Sequence, residues 1–295
     1  RPLSLRGMEE LLMNADNIEI AFCFSETLLE QVAVAITSLL VNRNGSHYQI
    51  NIFYYGNDDI PAGYFSGIIS RYDCKSRISC LRVRNIFKGA REMGHVNEGA
   101  YLRLMLPQWI NSPKVIYCDV DTIVSRDLSV LWNYDMGGEY ICGVKDQINL
   151  NSNWNLLKEE NGKYWNKLQK GAYINTGVLL MNLHKLRMNA EIMDMWQRMP
   201  FENYKYQDQD IINISCRGKI GFLPLQYNLP GTNYFRKNLR QAAKEGLYTK
   251  TEILGAIAAP TIVHYLGAYK PWNSRQRLNP YYRLWRKMEK KRNQI

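Results

Sequence analysis

The chain has 295 residues with 46% hydrophobic and 22% charged side chains, and its formal net charge is +11. These fractions are close to the averages of soluble globular proteins and exclude a disordered or a fibrous chain. The charge predicts an anionic partner, which leaves a phosphorylated substrate, an acidic membrane surface and a nucleic acid as candidates. No apolar run reaches the roughly 18 residues of a membrane-spanning helix.

The first half of the chain alternates strands with helices. The buried strand IEIAFCF (18–24) comes first, and Thr27 with Glu30 predicts a capping box for the helix that follows. Further strands are predicted at 48–56, 78–84 and 114–121, with helices at 62–72 and 97–110 between them. Strands that are apolar throughout and separated by helices indicate a parallel sheet covered on both faces.

The second half is less regular. Strands are predicted at 140–146 and 261–267, a strand that turns into a helix at 174–183, and a helix at 207–216. The last segment, 281–295, mixes aromatic with basic residues, and Pro280 is placed to open a helix there at its first position. Such a helix suits a membrane interface, but it also suits a helix packed on the body with a solvated basic face.

The six cysteines show neither a CxxC pair nor the Cys and His spacing of a zinc site. Several lie in apolar, strand-like runs, so they are interpreted as buried free thiols. Free thiols are typical of a reducing compartment, which predicts a cytoplasmic protein. Attachment to the inner face of the plasma membrane through the basic segment remains open.

The segment KVIYCDVDTIV (114–124) carries the clearest chemical signal, because an apolar strand runs into Asp119 and Asp121. Parallel sheets bind ligands beyond the carboxyl ends of their strands. Residues two apart in an extended chain point to the same side, and two converging carboxylates repel each other unless a cation lies between them. A Mn²⁺ or Mg²⁺ site is therefore predicted. The alternative is that the carboxylates only cap the following loop or helix.

Two chemistries use such a site. A metal ion can neutralise a nucleotide diphosphate that leaves from a sugar. Alternatively, the first Asp attacks a phosphate and the second acts as acid and base. The string DVDTI is compatible with both.

Four segments resemble, in the same order, the motifs of the family 8 glycosyltransferases. They are VIYCDVDTIVSRDLSVLW (115–132), INTGVLLMNL (174–183), YQDQDIIN (206–213) and VHYLGAYKPW (263–272). The resemblance covers about residues 18–275 and is clearest to the bacterial galactosyl- and glucosyltransferases of lipopolysaccharide and surface polysaccharide. It implies retaining enzymes with an α/β, nucleotide-diphospho-sugar transferase (GT-A-like) fold, which has a Rossmann-like, mostly parallel central sheet with helices on both faces.

The resemblance also implies the organisation and the partners. Residues 1–275 would form a single catalytic domain, and 276–295 the basic aromatic helix. The donor would be UDP-glucose or UDP-galactose, and the acceptor a saccharide, with a lipid-linked acceptor as one option. An anionic membrane surface is a further candidate partner, whereas a nucleic acid is not expected. No oligomeric state is predicted.

On the residues of this chain, the resemblance implies that Asp119, Asp121 and His264 coordinate Mn²⁺, with Mg²⁺ as the alternative. Carboxylate and imidazole groups suit that metal. Lys270 would hold the diphosphate as a point charge close to the backbone of Gly267. The alternatives are a buried structural histidine for His264 and a solvated loop charge for Lys270. The other histidines, at 47, 95 and 184, match no motif and are interpreted as structural.

The motifs imply further residues around the donor. Ala21 and its neighbours would line the uridine pocket, although AFCFSET (21–27) lacks the Asp or Asn that many members carry there, which makes Ser25 a substitute candidate. Arg103 would contact the donor sugar, with a structural salt bridge as the alternative. The rest of the set is Val120, Asp146, Asn175, Thr176 and Gly177. Asn175 and Gly177 could equally be turn residues between a strand and a helix.

Gln209 matches the family residue found beneath the anomeric carbon. Because an amide attacks poorly, front-face transfer is expected, in which an oxygen of the departing phosphate takes the proton of the acceptor. Asp208 stays as the alternative nucleophile of a double displacement.

Two rival interpretations remain. The nucleophile motif of haloacid-dehalogenase-like phosphatases is an apolar strand followed by DxDxT or DxDxV. The match here is partial, because Thr122 and Ile123 follow Asp121, and that family usually carries the motif on its first strand. A non-enzymatic basic module would bind nucleic acid or anionic lipid through 281–292, which explains none of the four motifs.

Overall fold

The protein is described by a computed structural model over residues 17–61, 63–92, 98–146, 171–232, 235–273 and 279–295. The strands in these ranges are β1 Ile18–Ser25, β2 Tyr48–Tyr55, β3 Arg77–Arg82, β4 Val115–Cys118, β5 Thr122–Val124, β6 Ile141–Lys145, β7 Ile174–Met181, β8 Ile220–Phe222, β9 Leu229–Pro230 and β10 Ile262–His264. The α-helices are α1 Leu29–Val41, α2 Ser66–Tyr72, α3 Leu106–Trp109, α4 Ser129–Trp132, α5 Leu183–Arg187, α6 Ala190–Arg198, α7 Gln207–Ser215, α8 Phe235–Lys244, α9 Lys250–Ala258 and α10 Tyr282–Arg292.

A seven-stranded sheet in the order β3-β2-β1-β4-β7-β6-β8 forms the centre of the molecule. Strands β3, β2, β1 and β4 are parallel to one another, and β6 is parallel to β8. Only β7 runs antiparallel to its two neighbours in this sheet. The expected mostly parallel central sheet is therefore confirmed.

Alternate residues of β1 enter two different cores, one on each face of the sheet. Ile20 and Phe22 pack in a core with side chains of α1, α8 and α9. Ala21 and Cys23 pack in a second core with side chains of α3, α5, α6 and α7. A strand that is buried on both faces must be apolar throughout, which explains the composition of 18–24. Helices on both faces are confirmed as well.

A second sheet of three short strands, in the order β5-β10-β9, lies beside the first. A third apolar cluster joins it to two helices through Val34 of α1, Ile123 of β5, Val263 of β10, and Trp285 and Met288 of α10. The chain passes from β4 in the large sheet to β5 in the small one within three residues. The junction of the two sheets therefore falls on 119–121.

Two sequence predictions about helix starts are wrong. No capping box forms at Thr27, because α1 starts at Leu29 and its cap, Leu28, makes no side-chain cap bond. The hydroxyl of Tyr64 instead donates to Glu30. Pro280 is not the first residue of α10, which starts at Tyr282.

The helix predicted at 97–110 is a 3-10 helix over Glu98–Met105 followed by the short α3. Pro107 lies in the first turn of α3, the part of an α-helix that tolerates a residue without an N–H group. Residues 62, 95 and 97, where two helix predictions and one histidine assignment fall, lie outside the described residues.

All six cysteines are free thiols. Four are buried and Cys80 is half-buried, but Cys74 is exposed, which corrects the expectation for that residue. Within the described ranges, no helix has the length and apolar character that crossing a bilayer requires.

Candidate active site

Asp119 and Asp121 lie in the turn that links β4 to β5. The N–H of Asp119 donates to the Gly177 carbonyl at 2.7 Å, and the Thr122 hydroxyl donates to the Asp119 carbonyl at 2.7 Å. The two carboxylates converge, as expected, but a turn between two sheets brings them together rather than the pleat of one extended strand. Their side chains remain 23% and 14% exposed, so the site is accessible.

His264 completes a cluster of three possible metal ligands. It ends β10 and lies opposite Thr122 in the antiparallel pairing of β10 with β5. Its Nε2 lies 3.1 Å from Asp121 Oδ1 and 3.6 Å from Asp119 Oδ2. The three ligand atoms lie within 4.8 Å of one another, and the donor set suits Mn²⁺ or Mg²⁺. The residues thus fit the predicted metal ion.

Gly177 leaves no room for a side chain, because His264 and Asp119 lie directly against its backbone. It lies inside β7, as does Asn175, so the interpretation of these residues as a turn is wrong. A Cβ atom on Gly177 would lie 2.0 Å from His264 Cε1 and 2.9 Å from Asp119 Oδ2. Only a residue without a side chain lets β7 pass this close to the carboxylate and the imidazole.

Lys270 contacts the cluster instead of solvent. Its ammonium group forms an ion pair with Asp121 Oδ2 and donates to the Tyr265 carbonyl at 2.7 Å. Burial would raise the pKa of the Asp121 carboxyl, but Lys270 and His264 beside it hold that pKa well below its ordinary value. Gly267, which has a φ of +81°, lets the backbone turn between His264 and Lys270.

Arg103 joins Asp119 to Asp208. Its Nη2 lies 2.8 Å from Asp119 Oδ1, its Nε lies 3.3 Å from Asp208 Oδ2, and its Nη1 donates to the Thr176 carbonyl at 2.8 Å. The Tyr117 hydroxyl donates to the same Asp119 oxygen at 2.6 Å. The salt bridge considered as an alternative for Arg103 is thus present, and contact with a donor sugar stays a prediction.

Asp208 is a buried carboxyl group at the start of α7. The Thr176 hydroxyl donates to its Oδ2 at 3.0 Å. Burial raises the pKa of Asp208 to about 6, a shift that Arg103 opposes and Asp119 reinforces. Gln207, just before it, has a φ of +46°, in the left-handed region that few residues other than glycine adopt.

Gln209 lies between two other predicted site residues. Its Nε2 donates to Asp146 Oδ2 at 2.8 Å, and its Oε1 accepts from Asn175 Nδ2 at 3.0 Å. Asp146 is 2% exposed, and its carboxylate accepts from Gln209. Asn228, which no motif indicated, connects this group to the metal ligands, since its side chain contacts both Asn175 and His264.

Three predicted donor-binding residues occupy different surroundings. Ser25 ends β1 and lines a cleft of about 650 Å³ at the carboxyl ends of β1, β2 and β3. Ala21 lies four residues earlier with no exposed surface, so it does not line an open pocket. The strand continues past Ala21, which places this side chain in the core. Val120, which stands between the two aspartates in the sequence, likewise packs its side chain in the core.

Comparison with known proteins places this site in a family. The family model described as "Glycosyl transferase family 8" matches residues 19–276. Lipopolysaccharide 1,2-glucosyltransferase of Escherichia coli K12 is 26% identical over 268 residues, which cover 87% of this chain and 73% of that protein. Glycosyltransferase GlyE of Streptococcus pneumoniae is 25% identical over 262 residues. These cover 86% of this chain but 56% of GlyE, so the chain spans little more than half the length of that relative.

The fold recurs in solved structures. Galactosyltransferase LgtC, in complex with donor and acceptor sugar analogues, superposes with a TM-score of 0.74 at 22% identity, covering 93% of this chain and 96% of LgtC. The structure of GlyE superposes with a TM-score of 0.65 at 22% identity, covering 92% of this chain and 60% of that chain. These neighbours confirm the expected GT-A-like fold.

Proposed function

Because this chain belongs to glycosyl transferase family 8, we propose that it is a glycosyltransferase that moves a hexose, glucose or galactose, from a UDP-sugar to a saccharide with retention of configuration. One observation carries this proposal. The ligand atoms of Asp119, Asp121 and His264 lie within 4.8 Å of one another, beside the ammonium group of Lys270. A cation and a lysine at one point suit the two charges of a diphosphate.

The proposed metal is Mn²⁺, with Mg²⁺ as the alternative, held by the three ligands named above. When bound, it would neutralise charge on the leaving diphosphate. Lys270 already pairs with Asp121, and we propose that it exchanges this carboxylate for a diphosphate oxygen when the donor binds. Ser25, which lines the cleft formed by the ends of β1 to β3, is the proposed contact for uridine.

Retention requires the acceptor to attack the face that UDP leaves. The bond between the anomeric carbon and the phosphate oxygen breaks, the acceptor oxygen bonds to the same face, and the acceptor proton passes to the departing phosphate oxygen. Gln209 is held by Asp146 and Asn175 and is an amide, so its proposed role is to stabilise the positive charge that develops on the sugar. Asp208 is held by Arg103 and Thr176, which leaves it as the alternative nucleophile.

The proposed acceptor is a lipid-linked saccharide of the bacterial surface, in keeping with the lipopolysaccharide glucosyltransferase among the relatives. A phosphorylated acceptor at a membrane would also explain the net charge of +11. In α10, Trp285 and Met288 are buried against the body, while Arg283, Lys287 and Lys290 are exposed. We therefore propose electrostatic attraction to an anionic surface rather than insertion of the helix.

The two rival interpretations fit this molecule less well. The DxD sequence follows β4 instead of the first strand, and Asp208 and Asp210 lie on a helix, so the pattern of a haloacid-dehalogenase-like phosphatase is absent from the described residues. A purely basic binding module would not need the cluster of metal ligands.

Calorimetric binding of UDP, first with Mn²⁺ and then with EDTA, tests the proposal. We expect binding with the metal and its loss with EDTA. Asp121→Asn should also abolish binding, because it removes one ligand and the partner of Lys270. Asp127→Asn is the matched control, since Asp127 contacts Asn44, Ser46 and Ser129 away from the site. UDP binding that is equally tight with EDTA would overturn the metal-dependent mechanism.

A further inference from the structure

A continuous line of side-chain hydrogen bonds runs through the buried part of the site. Gln209 Nε2 donates to Asp146 Oδ2 at 2.8 Å, and Gln209 Oε1 accepts from Asn175 Nδ2 at 3.0 Å. Asn175 Oδ1 accepts from Asn228 Nδ2 at 2.8 Å, and Asn228 Oδ1 lies 3.0 Å from His264 Nδ1. Three amides thus join a carboxylate at one end to a predicted metal ligand at the other.

The direction of this line is set by groups whose donor or acceptor role is unambiguous. The backbone N–H of Gly177 donates to Asn175 Oδ1 at 3.0 Å, and the backbone N–H of Thr176 donates to Gln209 Oε1 at 3.3 Å. Backbone N–H groups only donate, so the oxygens of Gln209 and Asn175 must face them. The amide of Asn175 therefore cannot be reversed without losing both this bond and its bond to Gln209.

The orientation of Asn175 also fixes the orientation of the Asn228 amide. Because Asn175 presents an oxygen, Asn228 must present its NH₂ group to it, which leaves Asn228 Oδ1 facing His264. An oxygen of an amide only accepts, so the hydrogen of the imidazole must lie on Nδ1. Nε2, which faces Asp119 and Asp121, is then the ring nitrogen that can bind a metal ion.

We propose that Asn228 is a positioning residue that holds His264 in the form that binds metal through Nε2. It is 2% exposed, so no water competes for the bond. Partners of this kind fix the tautomer and orientation of a metal-binding histidine. The proposal rests on the proposed function for the identity of the ligand, a divalent cation. It adds that Gln209 and Asn175, the proposed contacts of the donor sugar, are connected to the metal ligand His264 by hydrogen bonds through Asn228.

The imidazole hydrogen can be located directly. In metal-free protein labelled with ¹⁵N-histidine, long-range ¹H–¹⁵N spectra should show a hydrogen on Nδ1 of His264, assigned by comparison with His264→Gln. In Asn228→Leu, Nδ1 loses its acceptor, and at alkaline pH the hydrogen should move to Nε2, beside Asp121. A hydrogen on Nε2 alone in the unmodified protein would overturn the proposal.

The effect on metal binding is measured by titrating the full chain with Mn²⁺ alone and following the free ion by electron paramagnetic resonance. Asn228→Leu should weaken binding by about 10- to 100-fold, the usual effect of losing such a partner. Asn228→Asp should recover part of this loss, since a carboxylate accepts from Nδ1–H but cannot donate to Asn175 Oδ1 as the amide does. Asn51→Leu is the matched control, because Asn51 is a half-buried asparagine of β2 that contacts Glu19.

The two measurements separate this proposal from the proposed function. If the unmodified chain binds no Mn²⁺, the metal assignment fails, while the spectra still decide where the hydrogen lies. If the unmodified chain binds Mn²⁺ and folded Asn228→Leu binds it equally well, the positioning role of Asn228 is refuted.

Discussion

Single residues at the site owe their identity to close contacts rather than to local conformation. Gly177 has an ordinary strand conformation, yet a side chain there would overlap His264 and Asp119. Asn228 belongs to no motif, yet it is the only side chain bonded to Nδ1 of His264 among the described residues. Contacts of this kind join positions far apart in the chain, which is why a sequence motif does not reveal them.

Gly177→Ala should therefore disrupt the metal site while the fold persists. The added Cβ would lie 2.0 Å from His264 Cε1, so the imidazole or β7 must shift. A displacement of about 1 Å in an active site costs about 100-fold in rate. We expect metal-dependent UDP binding to weaken by more than tenfold in calorimetry, together with a loss of transfer activity.

Gly255→Ala is the control for this substitution. Gly255 lies in the middle of α9 with no atom near the position of a Cβ, so the variant should gain about 0.5–1 kcal/mol in the free energy of unfolding and bind UDP normally. Unchanged UDP binding in Gly177→Ala would show that the site does not close as described.

The buried carboxyl of Asp208 should make the stability of the metal-free protein depend on pH. Burial raises its pKa to about 6 in the folded state, above the value in the unfolded chain, so its stabilising contribution is present at low pH and is lost as the pH rises through 6. Asp208→Asn removes this titration. Between pH 5 and pH 7.5, the stability of the variant relative to the unmodified protein should rise by about 1 kcal/mol.

Urea unfolding in EDTA at several pH values measures this difference, since groups remote from Asp208 titrate alike in both proteins. A relative stability that does not change with pH, or that falls as the pH rises, would contradict the raised pKa of Asp208.

At the scale of elements, α10 has one apolar face packed on the body and one exposed basic face. The ring of Trp285 is buried, with its centroid 4.8 Å from that of Trp272 and 5.5 Å from that of Tyr265, the residue after His264. The opposite face exposes Arg283, Lys287 and Lys290. Deleting the helix would open the core beside the metal ligands, so a truncation cannot separate membrane attraction from catalysis, whereas surface substitutions can.

Reversing the three exposed charges of α10, with Arg283→Glu, Lys287→Glu and Lys290→Glu, should weaken binding to anionic vesicles. Each basic side chain near such a surface contributes about 1 kcal/mol, so a loss of at least about 100-fold is expected. Sedimentation with phosphatidylglycerol vesicles at low salt measures it, and activity on a soluble acceptor should be retained.

The same charge change on α8, with Lys237→Glu, Arg240→Glu and Lys244→Glu, is the matched control, because these residues are also exposed on a helix. An equal loss in both triple variants would assign the attraction to net charge rather than to α10, and no loss in either would remove the membrane surface from the proposed partners.

At the scale of the whole molecule, the site forms where two sheets meet. The carboxylates follow β4 of the large sheet, and His264 comes from β10 of the small sheet. Strand β7, next to β4 in the large sheet and antiparallel to it, passes close to both Asp119 and His264 at Gly177. The predicted division into a catalytic domain over 1–275 and a helix over 276–295 stays a prediction, although α10 packs against α1 and the small sheet.

The sequence by itself determined the fold class and indicated most of the proposed metal site. Continuous apolar runs between amphipathic segments indicate a covered parallel sheet, and converging carboxylates at the end of such a strand predict a cation between them. The motifs then led to Asp119, Asp121 and His264, which the structure brings together. These inferences succeed because periodicity and charge are local properties of the chain.

Only the tertiary structure decided how the site is held. It placed 119–121 in a turn between sheets, buried Ala21 completely, paired Arg103 with Asp119 and revealed Asn228. Each of these depends on distances between segments remote in sequence, such as the 36 residues between Asn228 and His264. Hydrogen bonds and close packing across such separations arise from the folded chain as a whole, and no local pattern encodes them.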